Sequence, residues 1–96
     1  MNRKVEDLLQ GKTIVSKEGG NSMMPIIKSM QPCKIEPITW DKCKKDDIVY
    51  CKVKGRFYTH FVKAIDEKRG CLIGNNRGKI NGWTKRVYGK IIEIII

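Results

Sequence analysis

A chain of 96 residues with 41% hydrophobic residues is long enough for one domain with a thin core. Twenty Lys and Arg against ten Asp and Glu give a net charge of +10. This balance excludes an acidic, disordered solubilising segment and leaves nucleic acid, an anionic surface or an acidic protein as partners.

The sequence contains no apolar run long enough for a membrane span, and residues 1–10 lack the apolar stretch of a signal peptide. We therefore expect no membrane span and a cytoplasmic protein. The four cysteines, at 33, 43, 51 and 71, form no Cys-x-x-Cys pair, and the single His has no metal-type neighbour. This spacing predicts no metal site, and without a secretion signal we expect four reduced thiols; no cofactor is expected.

The first third of the chain predicts little regular structure. Apolar residues at 5, 8 and 9 indicate a short helical turn that Gly11 ends, and the β-branched residues 13–15 indicate a first strand. Gly19 and Gly20 then break the chain, and a further helical turn is expected within residues 22–29.

The remainder reads as short strands separated by turns. Strands are predicted at residues 33–38, 48–53, 57–65, 71–73 and 89–96, whereas residues 83–87 are ambiguous. The predicted fold is mostly β, with about six short strands and one or two helical turns, as a small, partly open barrel or curled sheet.

Ser22 is the first candidate for chemistry, because it lies between a glycine-rich break and a helical turn. Such a bend exposes the hydroxyl and directs backbone N–H groups at a nearby anion; an ordinary helix N-cap is the alternative interpretation. A nucleophilic serine needs a base within hydrogen-bonding reach. Both His60 and Lys63 lie on the predicted strand 57–65, on opposite faces, so only one of them can face Ser22.

A second candidate site is the segment after Gly74, where positive charges alternate with aromatic side chains. Such a pattern suits a nucleic-acid backbone with stacked bases, although a solvated turn on a basic protein is the simpler interpretation. The candidate contact residues are Arg77, Lys79, Trp83, Lys85 and Arg86.

In this order, the segments resemble the LexA/signal-peptidase superfamily of serine peptidases over residues 20–94. Residues 20–25, Gly-Asn-Ser-Met-Met-Pro, resemble its Gly-x-Ser-Met-x-Pro box around the nucleophile. Residues 46–49, Asp-Asp-Ile-Val, resemble its Gly-Asp-Ile-Val turn and strand. Residues 74–76, Gly-Asn-Asn, resemble the Gly-Asp-Asn loop of the signal-peptidase branch, and residues 89–91 resemble the terminal Gly-x-Val/Ile strand.

The resemblance implies one domain over residues 1–96, with residues 1–19 as an N-terminal extension and 20–96 as a curled, partly open antiparallel β-barrel core. It implies peptide-bond hydrolysis by a Ser22–His60 dyad, with Lys63 as the alternative base. Ser22 and Met23 would contribute to the oxyanion hole, and Asn75 stands where the His-containing branch has an orienting Asp.

The leading hypothesis is therefore a small peptidase that acts on a polypeptide substrate. The alternative is an inactive peptidase-like fold that serves as a basic binding module for nucleic acid or an acidic protein. A third hypothesis is self-assembly through an unpaired apolar strand at residues 91–96.

Overall fold

The computed structural model describes residues 2–96 and contains one short helix and seven strands. The helix, α1, spans Arg3–Leu9, and a single 3₁₀ turn spans Trp40–Lys42. The strands are β1 (Ile14–Lys17), β2 (Pro32–Pro37), β3 (Ile48–Val53), β4 (Arg56–Asp66), β5 (Gly70–Gly74), β6 (Ile80–Thr84) and β7 (Val87–Ile94).

All seven strands join one antiparallel sheet in the order β1-β2-β7-β3-β4-β5-β6. The order is open, with β1 and β6 as its edges, so the described residues form no closed barrel. The sheet nevertheless brings β6 back towards β3, because the Thr84 hydroxyl on β6 donates a 2.7 Å hydrogen bond to the carbonyl of Lys52 on β3.

The helix α1 begins at residue 3 because Asn2 caps it: the Asn2 Oδ1 accepts the Val5 N–H at 2.8 Å. Its apolar face then buries Val5 and Leu8 against Ile35 of β2 and Tyr50 of β3. The N-terminal segment is thus packed onto the sheet through α1 and paired to it through β1.

The main core lies against β3, β4, β5 and the start of β7. Its centre consists of aliphatic and cysteine side chains that are fully or almost fully buried: Cys43, Val49, Cys51, Val53, Val62, Cys71, Ile73 and Val87. All four cysteines of the chain are free thiols. Burial raises the pKa of Cys51 to about 12, as is typical of a thiol that serves as a small apolar side chain.

The mostly β prediction is confirmed, with seven strands where the sequence predicts about six. A seventh strand, β6, occupies residues 80–84, where Asn81 and Gly82 weaken the strand pattern in the sequence. The last strand, β7, lies inside the sheet: its residues 89–94 pair with β2 and its residues 87–90 pair with β3, and self-assembly through residues 91–96 stays a prediction. Residues 22–29 form turns rather than a helix, with one helix-like hydrogen bond from the Ile27 N–H to the Met23 carbonyl.

No helix among residues 2–96 is long and apolar enough to cross a membrane.

The strand β7 packs closely against β2 at Gly89, and this contact leads to a stability prediction. A Cβ there would collide with the Ile35 side chain and lie 3.0 Å from the Glu36 carbonyl oxygen. Gly89→Ala is therefore expected to lower the free energy of unfolding by about 1–3 kcal/mol in urea denaturation. Gly19→Ala is the control, because only the Met30 sulfur comes within 4.0 Å of its new methyl group. Equal stability of the two variants would contradict the close packing of β7 on β2.

Candidate active site

The imidazole of His60 is held in one orientation inside the protein. His60 lies in the middle of β4, is 6% exposed, and stacks on the Tyr58 ring with a centroid separation of 4.9 Å. Its Nδ1 lies 2.7 Å from the Oδ1 of Asn81 on β6. Because an amide oxygen only accepts, Nδ1 carries the proton and donates it to Asn81, which leaves Nε2 with a free lone pair.

The loop that carries Ser22 is fixed from several sides. The Asn76 N–H donates to the Ser22 carbonyl, and the Asn76 amide donates to the Met24 carbonyl, both at 2.9 Å. The buried side chains of Met23 and Ile27 anchor the loop against Cys33 of β2. Asn76 therefore ties the loop to the end of β5, beside the strand that carries His60.

These two elements bring Ser22 and His60 together although 38 positions separate them in the chain. The Ser22 Oγ lies 2.9 Å from the His60 Nε2, so the serine hydroxyl donates to the free lone pair of the imidazole. Ser22, His60 and Asn81 thus form a continuous chain of hydrogen bonds. This is the arrangement of nucleophile, base and orienting group that nucleophilic catalysis requires.

The surroundings of His60 keep it uncharged. Burial lowers the pKa of His60 below its usual 6.5; the hydrogen bond with Asn81 opposes this effect, and the positive charge of Lys79 adds to it. A neutral imidazole is the form that can accept a proton from the serine hydroxyl, so His60 has the form that a general base requires at neutral pH.

The alternative base, Lys63, lies away from the serine. It is the extra residue where the pairing of β4 with β5 shifts between Val62 and Ala64, and its Nζ lies 4.8 Å from the centroid of the Phe61 ring. It does not line the cleft that contains Ser22 and His60. Of the two candidate bases, His60 is the one that contacts the serine.

Two backbone donors beside Ser22 have no partner. Within residues 2–96, the N–H groups of Ser22 and Met23 make no hydrogen bond, although Met23 is only 5% exposed. An unpaired N–H at a buried residue is uncommon. In this position the two groups can bind an oxyanion that forms on a carbonyl attacked by Ser22.

A cleft of about 140 Å³ opens beside the serine. Its inner part is apolar, with Met23, Ile27, Cys33, Ile35 and Ile91, and one wall is formed by residues 57–60 of β4. This volume is close to that of a cavity that holds one benzene molecule, so the cleft admits a single small apolar group.

The β4 wall of the cleft is an unpaired strand edge. Lys54 and Gly55 form the two-residue turn of the β3–β4 hairpin, and Val53 faces Arg56 across it. In such a hairpin, the N–H and C=O groups of residues 56, 58 and 60 point towards β3. Phe57 and Thr59 direct theirs away from β3, whereas the pairing of β4 with β5 begins only at Phe61. No strand among residues 2–96 pairs with the edge at Phe57 and Thr59, so this edge can pair with an extended peptide.

The orienting contact on His60 comes from Asn81 rather than from Asn75. The Asn75 Oδ1 accepts the N–H groups of Arg77 and Lys79, at 2.8 and 3.0 Å, and so shapes the loop after β5. Residue patterns do not indicate Asn81, because Asn81 and Gly82 weaken the strand pattern of β6. No motif spacing indicates its role.

The five basic and aromatic residues of the second candidate site lie on β6 and beside its two ends. Arg77 and Lys79 precede β6, whereas Lys85 and Arg86 follow it, roughly 13 Å further along the strand. The Arg69 guanidinium lies 4.1 Å over the ring of Trp83 and covers a face that a base would need for stacking. Contact between these residues and a nucleic acid stays a prediction.

No protein-family model matches this chain, and no curated protein matches it. Within residues 2–96, no group of three or more His, Cys, Asp or Glu side chains is placed to hold a metal ion.

Proposed function

We propose that this protein is a serine peptidase in which Ser22 is the nucleophile, His60 the general base and Asn81 the residue that orients the base. The observation that carries the proposal is the 2.9 Å contact between the Ser22 Oγ and the His60 Nε2, with Nδ1 bonded to Asn81. We also propose that the sheet takes the curled, partly open barrel form of the LexA/signal-peptidase superfamily; the bond between Thr84 and Lys52 across it supports this.

The chemistry would proceed in two stages. The Ser22 Oγ attacks the substrate carbonyl while His60 Nε2 takes its proton, and the Ser22 and Met23 N–H groups bind the oxyanion. The imidazolium then gives that proton to the departing amine as the C–N bond breaks, which leaves an acyl group on Ser22. Water, activated by His60, then hydrolyses the ester and restores the serine.

Substrate binding is best explained by strand addition. An extended peptide would hydrogen-bond to the free edge at Phe57 and Thr59. Alternate side chains of the peptide would then point to opposite sides of the added strand. One of them would enter the apolar pocket next to Ser22. The pocket volume favours substrates with a small apolar side chain beside the scissile bond.

The experiment that tests the proposal is incubation of the protein with a mixed-sequence peptide library, followed by mass spectrometry of the products. We expect new amino and carboxyl termini at peptide bonds next to small apolar residues. A library that remains intact with the wild-type protein would refute the proposed activity.

The pH dependence follows from the surroundings of His60. Because its pKa is lowered, the neutral base persists below pH 6.5, and the acidic limb of kcat/KM is expected to have its midpoint below 6.5. The charged groups near the imidazole are Lys79, and Glu18 and Lys28 in the same cleft. Lys79→Gln removes a cause of the lowering and is expected to move the limb to higher pH. A wild-type limb with its midpoint above 6.5 would contradict this account.

A further inference from the structure

The charges at the mouth of the cleft are not balanced. Lys28 lines the cleft from the serine loop, and Lys79 lies near His60 on the loop between β5 and β6. Both side chains are exposed, and neither forms a salt bridge with any residue among 2–96. Two lysines without a salt bridge among residues 2–96 therefore lie near the Ser22–His60 pair: Lys28 in the cleft lining, and Lys79 on the loop that Asn75 holds beside it.

The carboxylate of Glu18, which lines the same cleft, already has hydrogen-bond partners within the protein. The Glu18 Oε1 accepts hydrogen bonds from the Lys4 ammonium at 3.1 Å and from the Ser16 hydroxyl at 3.2 Å. Lys4 thus compensates the charge of Glu18. Lys28 and Lys79 therefore add positive charge near the cleft that no salt bridge offsets, and the overall charge of +10 adds to it at longer range.

The interior of the cleft does not suit an acidic side chain. Met23, Ile27 and Cys33 line it, and a carboxylate placed among them would lose its hydration without gaining a partner. A substrate's acidic residues would therefore lie outside the pocket, where the two lysines are. A peptide with an apolar residue in the pocket and acidic residues on either side of it would match both the apolar lining and the nearby lysines.

We propose that the cleft selects peptides in which acidic residues flank a small apolar residue at the scissile bond, with Lys28 and Lys79 as the specificity-determining residues. This inference rests on the proposed peptidase function and names its substrate class. Attraction between the lysines and the acidic residues of a peptide would speed association and lower KM, and added salt would screen both effects.

Binding tests this selectivity separately from catalysis. The inactive variant Ser22→Ala is titrated with three fluorescein-labelled peptides that share an alanine centre and differ only in flanking glutamate, glutamine or lysine. We expect the glutamate peptide to bind most tightly at low salt and to lose its advantage at high salt. Equal affinity for the glutamate and glutamine peptides would overturn the inference, whether or not the wild-type protein cleaves them.

Charge variants identify the residues responsible. In the Ser22→Ala background, Lys28→Gln and Lys79→Gln are each expected to weaken binding of the glutamate peptide about two- to fivefold, with the glutamine peptide unaffected. Lys68→Gln is the control, because it removes the same charge from the exposed turn between β4 and β5. An equal loss in all three variants would assign the preference to overall charge and overturn the role of the two lysines.

In the wild-type protein, cleavage of the glutamine peptide as fast as the glutamate peptide would leave the proposed function intact and count against the selectivity. Absence of cleavage of all three peptides, together with tighter binding of the glutamate peptide, would instead count against the peptidase proposal alone.

Discussion

Replacing Ser22 with alanine is expected to lower kcat/KM for peptide cleavage at least about 10⁴-fold while the fold is retained. The variant keeps the cleft and the backbone donors but has no oxygen to form the acyl intermediate, so only the weak catalysis of binding and oxyanion stabilisation remains. Steady-state hydrolysis of a cleaved library peptide measures the loss, and circular dichroism checks the fold.

Two control variants separate this loss from a general disturbance. Ser29→Ala removes a hydroxyl from the same loop, where it accepts the Gly20 N–H at 3.1 Å. Lys63→Met removes the other candidate base, which lies over Phe61 and outside the cleft. Both should retain kcat/KM within about threefold, since neither is in the proposed machinery. Loss of activity in Lys63→Met comparable with that of Ser22→Ala would assign the base to the lysine.

The second large effect is expected at Asn81, which holds the proton of His60 on Nδ1. Asn81→Ala should lower kcat by about 10²- to 10⁴-fold, because the imidazole can then rotate or adopt the tautomer with the proton on Nε2. Asn81→Asp should act in the opposite direction. A carboxylate next to Nδ1 stabilises the imidazolium that forms during attack, and so raises kcat.

The pH profile distinguishes this role from a structural one. Asn81→Asp introduces a negative charge beside His60, so the pKa of the imidazole rises and the acidic limb of kcat/KM moves to higher pH. Asn81→Ala removes the hydrogen bond that raises this pKa, so the limb moves to lower pH. Identical profiles in wild type and both variants would contradict the positioning role.

Much of the sheet could be predicted from residue patterns, because strands such as Ile48–Val53 are β-branched and lie between clear turns. The strand β6 could not, since Asn81 and Gly82 are poor strand formers and are held there by tertiary contacts. The position of β7 between β2 and β3 could not be predicted either, because an apolar run predicts a strand but not the strands with which it pairs.

For the candidate site, too, residue types could be predicted from the sequence, but contacts between distant residues could not. Ser22 and His60 could be singled out from residue type and order, whereas their 2.9 Å contact depends on Asn76, which ties the serine loop to the end of β5. The resemblance aligns Asn75 with the orienting Asp of the His-containing branch. In the fold the hydrogen bond to His60 comes from Asn81, since the Asn75 side chain accepts hydrogen bonds from the backbone of its own loop.

The most direct test of the Ser22–His60 pair is the intact mass of the wild-type protein after treatment with a fluorophosphonate, which reacts only with a serine activated by a base. We expect a single phosphonyl adduct, located at Ser22 by peptide mapping and lost when His60 is replaced by alanine. An unmodified protein, or a label at Ser16 or Ser29 instead, would contradict the assignment of Ser22 as the nucleophile and His60 as its base.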